Sequence, residues 1–475
     1  MSLPELPAIP AFHRRVATRA IPVRVFESLY GGDRWAFLYE SLEAHGDRGR
    51  YSFIGGRPRA TLHIRGQRSE LHTSDRIHVE NGPPPDVLRR LIRTQPDVPP
   101  VAPFCGGAVG YLAYDAVRWT EAIADGKPDA IGAADACLMF PSEIICFDHL
   151  EKVAHVVLFR AEGHDGRLAQ IDAALRSAEG VERRWIDAPS ADSMTVRLTP
   201  GMSPADFEAM VVKAKEYIRA GDVFQVVLSQ RFEFPLSVPP LRLYQALRVT
   251  NPSPYMYFLG LDGVAIAGSS PEVLARLSGR KAVVRPLAGT RPRGATPGED
   301  EALAAELRAD PKEHAEHVML VDLGRNDLGR VCEYGSMQLA DVLTIERHSR
   351  VMHLVSKVEG WLREGCDALD LFRAVFPAGT VSGAPKVRAM QIIEELEPVR
   401  RGVYAGAIGY FSLLGDMDLC IAIRTIVMAN GRGYIQAGAG IVDDSVPRRE
   451  YDETLNKARA LMRAVQLAAC PEFVP

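Results

Sequence analysis

Hydrophobic and polar positions fall into two regimes along the chain. In roughly the first 180 residues, short apolar alternations recur between turn-rich segments: "GRYSFIG", "ATLHIRG", "DRIHVEN" and "KVAHVVLF". Alternation with period two predicts half-buried strands. One segment, "HDGRLAQIDAALRSAEG", instead spaces Leu168, Ile171 and Leu175 on one helical face. From Pro204 onward, longer helical patterns alternate with strands. "PADFEAMVVKAKEYIRAG" and "LRLYQALRVT" predict helices; "DVFQVVLSQRFEF", "GVAIAG" and "AVVRPLAG" predict strands. "LCIAIRTIVM" and "YIQAGAGIV" read as neighbouring buried strands. The polar stretch "WIDAPSADSMTVRLTPGMS" is the expected linker, dividing an N-terminal region, 1–190, from a second region, 191–475. Strands and helices mixed in this way predict an α+β fold and not a strict βαβ alternation.

Composition narrows the class. The 475 residues are 47% hydrophobic and 24% charged, as in a globular enzyme-sized chain. The 56 basic and 60 acidic residues nearly balance, so no global field recruits nucleic acid or anionic membrane. Seven scattered cysteines without a C-x-x-C pair argue against a disulfide framework or zinc site and fit a reducing cytoplasm. Neither a signal-peptide h-region nor an apolar run near the ~18–20 residues of a membrane span is visible. No glycine-rich phosphate loop opens a helix; "GRGYIQAGAG" belongs to a strand.

Two segments carry paired acids. In "DPKEHAEHVMLVDLGRNDLG", Asp310 is the expected N-cap and Pro311 the first helical residue, placing Glu313 and Glu316 one turn apart. In "DSVPRREYDETLNKARALM", Pro447 opens a helix on which Glu450 and Glu453 repeat that spacing, with Lys457 a turn further on. Taken singly, each pair reads as a solvated face. If the helices converge, four carboxylates would hold a hard divalent cation such as Mg2+. His317 is one residue out of register for a di-iron motif.

Three loops could cradle an anion. "RPLAGTRPRG" brings Arg285, Arg291 and Arg293 around Gly289-Thr290. "PAGTVSGAPKVRAMQIIEELEP" puts Gly379-Thr380, Ser382-Gly383 and Lys386 at a helix start, with Val387, Met390 and Ile393 as the expected buried face. "QAGAGIV" offers Gly438-Ala439-Gly440 for close backbone approach. Arg424, inside the apolar "CIAIRTIV", requires a carboxylate partner from protein or ligand. His353 in "HSRVMHLVSKV" reads equally well as a structural histidine.

Taken together, "FLYESLEAHGDRGRYSFIG", "PFCGGAVGYLAYD", "NPSPYMYFLG", "SSPEVL", "RPLAGTRPRG", "AEHVMLVDLGRNDLGRV", "FPAGTVSGAPKVRAMQIIEELEP", "DLCIAIRT" and "QAGAGIVDDSVPRREYDETLNKA" resemble the chorismate-utilising enzymes, and within them the large subunit (component I) of anthranilate synthases. The resemblance runs over nearly the whole chain. It implies stacked, twisted, antiparallel-rich β-sheets flanked by helices. It implies Mg2+ contact by Glu316 and Glu453, with Glu313 and Glu450 nearby or acting through water. Chorismate would touch Gly289, Thr290, Tyr404, Arg424, Gly438, Ala439 and Gly440, while His353, Thr380 and Lys457 line the reacting ring.

Two positions bear on the reaction. Water-using members carry a lysine base where this chain has Gln225, and aminodeoxychorismate synthases carry a nucleophilic lysine where it has Ala288. An amide is no base and a methyl group no nucleophile, which leaves direct attack of ammonia at C2, with His353 as the acid for the C4 hydroxyl and Lys457 a candidate base. The expected products are anthranilate and pyruvate, in the first step of tryptophan biosynthesis; the alternative is an aminodeoxychorismate synthase. Nothing in the chain resembles a glutamine amidotransferase, so a separate amidotransferase subunit (component II) is the implied ammonia source. Ser41, Pro254, Tyr255 and Met256 match the family's L-tryptophan inhibitor pocket, much of it in the N-terminal region; Tyr39 departs from the usual leucine.

Overall fold

The computed structural model describes residues 2–7, 10–42, 49–93, 98–160, 162–180, 196–348 and 351–473. Side-chain alternation explains its layering. Along Trp35–Glu40, Phe37 points into one apolar cluster while Ala36 and Leu38 point into another. Tyr255–Leu261 repeats the division, with Tyr257 and Leu259 on the first side and Met256 and Phe258 on the second. On the opposite sheet, Ile408 and Tyr410 face the same inner cluster as Phe37, whereas Ala407 and Phe411 face a third. Strands buried on both faces therefore form two stacked layers, with aromatic side chains between them and helices on either outside.

The helices Pro22–Tyr30, His164–Ser177, Pro240–Thr250 and Pro447–Ala469 cover one outer face. Pro84–Leu91, Pro204–Arg219, Ala368–Val375 and Lys386–Leu396 cover the other. All recorded strand pairings are antiparallel among 22 strands and ten α-helices of the described residues. The α+β expectation, with antiparallel-rich stacked sheets flanked by helices, holds. Strands from both sides of the expected linker share sheets: Trp35–Glu40 pairs with Tyr255–Leu261, and Gly107–Leu112 with Ala407–Ser412. Residues 185–195 of that linker lie outside the described residues.

Several boundaries differ from the sequence reading. "GRYSFIG" and "ATLHIRG" are one strand, Tyr51–Arg65, bent where Arg57 takes φ 51° and the register shifts between Pro58 and Ala60. "AVVRPLAG" is two short strands, Lys281–Val284 and Leu287–Pro292. "LCIAIRTIVM" is also two, Met417–Ile421 and Thr425–Ala429, of which the second pairs with Arg432–Ile441 as expected. Arg424 stands at the break, with φ 49°, and not inside a strand. On the Lys386–Leu396 helix, Met390 and Ile393 are buried, but Val387 is 39% exposed; Ala389 and Ile392 complete the inner face instead. Both acid-bearing helices start where expected, and Asp310 Oδ1 accepts from the amides of Lys312 (3.0 Å) and Glu313 (3.2 Å).

Leu38 is fully buried in the cluster under the Pro22 and Pro240 helices. Leu38→Ala should lower unfolding free energy by about 3 kcal/mol, read from urea midpoints.

Candidate active site

One wall is a two-stranded floor. Gln225–Pro235 pairs with Arg432–Ile441 so that Gly440 lies opposite Val227, Ala439 opposite Leu228 and Gly438 opposite Ser229. The glycines make room for specific groups. A Cβ on Gly438 would stand 2.8 Å from the Tyr404 hydroxyl, and one on Gly440 2.6 Å from the Gln225 amide nitrogen. Tyr404 is buried with its ring 5.6 Å from the Arg401 guanidinium. That guanidinium also donates to the carbonyls of Val381 (2.6 Å) and Val227 (2.7 Å) and to Glu397 (2.6 Å). A single buried cation thus ties the floor to the turn Gly379–Val381, which carries Thr380.

The second wall is the loop containing Gly289. Leu287–Pro292 shifts register against Val351–Trp361 between Ala288 and Thr290, and Gly289 takes φ 70° at the irregularity. His353 lies beneath it, its Nδ1 3.1 Å from both the Gly289 carbonyl and the Thr290 hydroxyl. Its Nε2 is buried with no hydrogen-bond partner. Burial, with Arg424 adding like charge, pulls the imidazole down to about 4, so it is neutral at neutral pH. Thr380 Oγ is likewise buried without a partner in hydrogen-bond geometry.

Glu272 was not among the candidates read from the sequence. It is fully buried, and desolvation pushes its carboxyl up to about 8 against the opposing influence of Thr380 and Arg424. An acid that keeps its proton at neutral pH near an arginine is a proton donor in waiting. The signal lay in "SSPEVL": a glutamate flanked by Pro271 and Val273 at the entry to an apolar strand. A small cavity lined by Glu272, Thr380, Gly379, Ile421 and Pro286 opens beside it.

The two acid-bearing helices do bring their carboxylates into one electrostatic neighbourhood. Burial raises the Glu316 pKa, and Glu313 and Glu453 raise it further; its Oε1 accepts from Gln225 Nε2 at 3.2 Å. Glu450 is raised by burial and by Glu453. Glu313 is paired with Arg291 at 3.0 Å and Glu453 with Lys457 at 2.7 Å. Those pairs draw two carboxylates aside, and no three potential ligands stand at metal-binding spacing among the described residues. Glu316 and Glu450 form no ion pair among the described residues, while Lys312 acts on both from nearby. Four carboxylates on two helices are hard oxygen donors of the kind a divalent cation of the Mg2+ type takes.

Lys457 also donates to the Gly438 carbonyl at 2.8 Å, which joins the Pro447 helix to the glycine floor. A chain of contacts links these positions: Lys457 and Tyr404 meet Gly438, Thr380 and Arg424 act on Glu272, and Arg424 and the Gly289-Thr290 loop act on His353. The loop arginines do not await an anion. Arg285 pairs with Glu346, Arg293 with Asp300 (2.7 Å), and Arg291 with three acids. Lys386 is likewise held by Asp327 at 2.6 Å. Protein carboxylates reach these cations and hold them in place.

A second cavity gathers Ser41, Pro254, Tyr255 and Met256 with Tyr39, Tyr410, Asp418 and Cys420. The Tyr255 hydroxyl donates to Asp418 at 2.9 Å, and Tyr39 donates to the Gly409 carbonyl at 2.9 Å.

Residues 36–463 match the family model described as chorismate binding enzyme. Anthranilate synthase component 1 of Cereibacter sphaeroides is 44% identical, over 96% of this chain and 94% of its own length. That of Thermus thermophilus is 46% identical, over 94% and 96%. Anthranilate synthase component I from Streptococcus pneumoniae TIGR4 superposes with a TM-score of 0.77 at 39% identity, covering 89% of this chain and 93% of that one. The menaquinone-specific isochorismate synthase MenF of Escherichia coli shares the fold, with a TM-score of 0.73 at 20% identity over 98% and 96% of the two chains.

Half-buried His63 and buried His317 and His353, each near 4 and so neutral at neutral pH, tie stability to pH. Their depressed values stabilise the fold above the unfolded value of about 6.5, and that contribution is lost as pH falls toward 4. Urea midpoints should drop through this window, and His353→Gln should flatten the slope. The chain belongs to the chorismate binding enzyme family.

Proposed function

We propose that this family member joins ammonia to chorismate and releases anthranilate and pyruvate. Ammonia would be supplied from glutamine by a separate amidotransferase subunit, and Mg2+ would be the cofactor. The observation that carries this reading is the pair Gln225 and Ala288. Gln225 donates its amide to Glu316, and Ala288 contributes a buried methyl group to the Gly289 loop. Neither can deprotonate water or form an amine adduct. Ammonia needs no such base, since its lone pair is already free.

The remaining residues divide the chemistry. When bound, Mg2+ held by Glu316 and by the Glu453 oxygen that Lys457 does not hold, with Glu313 and Glu450 close by or acting through water, would neutralise the ring carboxylate. Gly289, Thr290, Tyr404, Arg424 and the Gly438–Gly440 backbone bind and orient the dicarboxylate. Ammonia forms its bond at C2 as the C4–oxygen bond breaks. The proton that converts the departing hydroxyl to water comes from Glu272, because His353 near 4 carries too little charge to supply it; the new C2 ammonium then gives up one proton, which restores the carboxyl. In the second step the C2 proton leaves, the C3–oxygen bond breaks and the ring becomes aromatic. The enolpyruvate released takes up a proton to become pyruvate. The unpartnered, neutral His353 Nε2 is suited to accept the C2 proton. Lys457, already donating to Glu453 and Gly438, acts as a fixed cation and not as a base. Thr380 lines the ring beside Glu272.

The second cavity, with Ser41, Pro254, Tyr255 and Met256 on its lining, is proposed as the L-tryptophan inhibitor site. It joins the N-terminal region, 1–190, to the catalytic region, 191–475, and Tyr39 narrows it relative to a leucine.

Purified protein given chorismate, Mg2+ and ammonium should yield fluorescent anthranilate and pyruvate in equal amounts. A non-fluorescent amino product that keeps its enolpyruvyl group would instead make it an aminodeoxychorismate synthase. Glu316→Gln should abolish Mg2+-dependent turnover. With free ammonia held saturating, kcat should fall as pH rises through about 8, where Glu272 loses its proton. Glu272→Gln should lower kcat by roughly 10²–10⁴-fold and remove that alkaline limb. A limb unchanged in the variant would take the acid role away from Glu272.

A further inference from the structure

Arg291 sits two residues beyond Gly289, yet its guanidinium faces protein. It donates to Glu306 (2.8 Å), the Thr290 carbonyl (3.0 Å), Glu313 (3.0 Å) and Asp310 (2.7 Å). These carboxylates flank the junction of two helices, Pro297–Ala309 and Pro311–Gly329. Asp310 is also the N-cap of the second helix, so one acid both starts that helix and holds the arginine. Gly289 closes the other side of the contact: a Cβ there would stand 3.1 Å from Glu313 Oε2 and 3.0 Å from Leu307.

Glu313 and Glu316 are therefore chemically alike but differently held. Glu313 is wedged between Gly289 and a guanidinium. Glu316, one turn along the same face, forms no ion pair among the described residues and accepts only the neutral Gln225 amide. A planar fork bound to several oxygens fixes both the charge and the direction of its partners.

We propose that Arg291 is a positioning residue that withholds Glu313 from direct coordination of the bound cation and locks the first turn of the Pro311 helix against Gly289-Thr290. The inference rests on the reading above that these helices hold Mg2+. Its consequence is an asymmetric site. Glu316 is left for the cation, while Glu313 keeps a fixed place beside it. The loop that carries Gly289, Thr290 and the His353 contact then moves only with the carboxylates.

The test is Mg2+ binding by titration calorimetry at one pH, without chorismate, on wild type, Arg291→Gln and Arg291→Gln/Glu313→Gln. Arg291→Gln removes a positive charge and releases a carboxylate, so Mg2+ should bind tighter by roughly fivefold, while KM for chorismate rises. The double variant should return to within about twofold of wild-type Mg2+ affinity, since the released carboxylate is gone. A residue that merely stabilises the fold would leave Mg2+ affinity unchanged or weaken it on removal, and either result in Arg291→Gln overturns the proposal. So does a double variant that stays as tight as the single. Wild type that binds no Mg2+ would instead remove the cation reading itself, a failure visible before any variant is compared.

Discussion

The constraint on which this architecture depends is that ionised groups are costly to take out of water unless another charge or a hydrogen bond meets them. The candidate site and its surroundings carry several such groups, and most are matched. Arg401 is matched by Glu397, Lys386 by Asp327, Lys457 by Glu453 and Arg291 by Glu313 and its neighbours. Against that background the exceptions define the chemistry. Glu316 and Glu450 stand without an ion pair among the described residues, and burial together with neighbouring carboxylates raises both. Glu272 resolves its burial by keeping a proton, and His353 by giving one up. The same penalty that makes a buried ion pair a weak stabiliser thus produces an acid and a base of reversed order within one enclosure.

Rigid backbone lets those few groups act together. The glycine strand Arg432–Ile441 is in register with Gln225–Pro235, and its missing side chains are the space in which Tyr404 and Gln225 stand. Arg401 holds that floor to the Thr380 turn through two carbonyls, which gives the polar wall a fixed distance from the strand pair. The geometry of this wall follows from antiparallel pairing and a buried fork of hydrogen bonds.

Much of this was legible in the sequence because periodicity and capping act locally. The cap of one acidic helix and the first turns of both stood in plain view at Asp310, Pro311 and Pro447, and "FQVVLS" and "QAGAGIV" were each clear as strands, though not as partners of one another. What was hidden depends on contacts distant in sequence. An arginine in an apolar run reads as part of a strand, yet Arg424 marks a break because its φ is positive. Arg285, Arg291 and Arg293 look like an anion cradle until Glu346, Asp310 and Asp300 fold onto them. Glu272 could not be ranked above other glutamates, because only three-dimensional burial distinguishes it. Val387 shows the opposite limit: a helical apolar stripe read one residue too wide.

The strand Met417–Ile421 has two sides that belong to different compartments. Asp418 and Cys420 border the cavity of Ser41 and Tyr255, whereas Ile421 borders the cavity of Glu272 and Thr380. Its backbone is clamped there, since the Ile421 amide donates to the Glu272 carbonyl and its own carbonyl accepts from Ser270. The partition between the two chambers is thus a single pleated ribbon of peptide, whose alternate side chains face opposite ways.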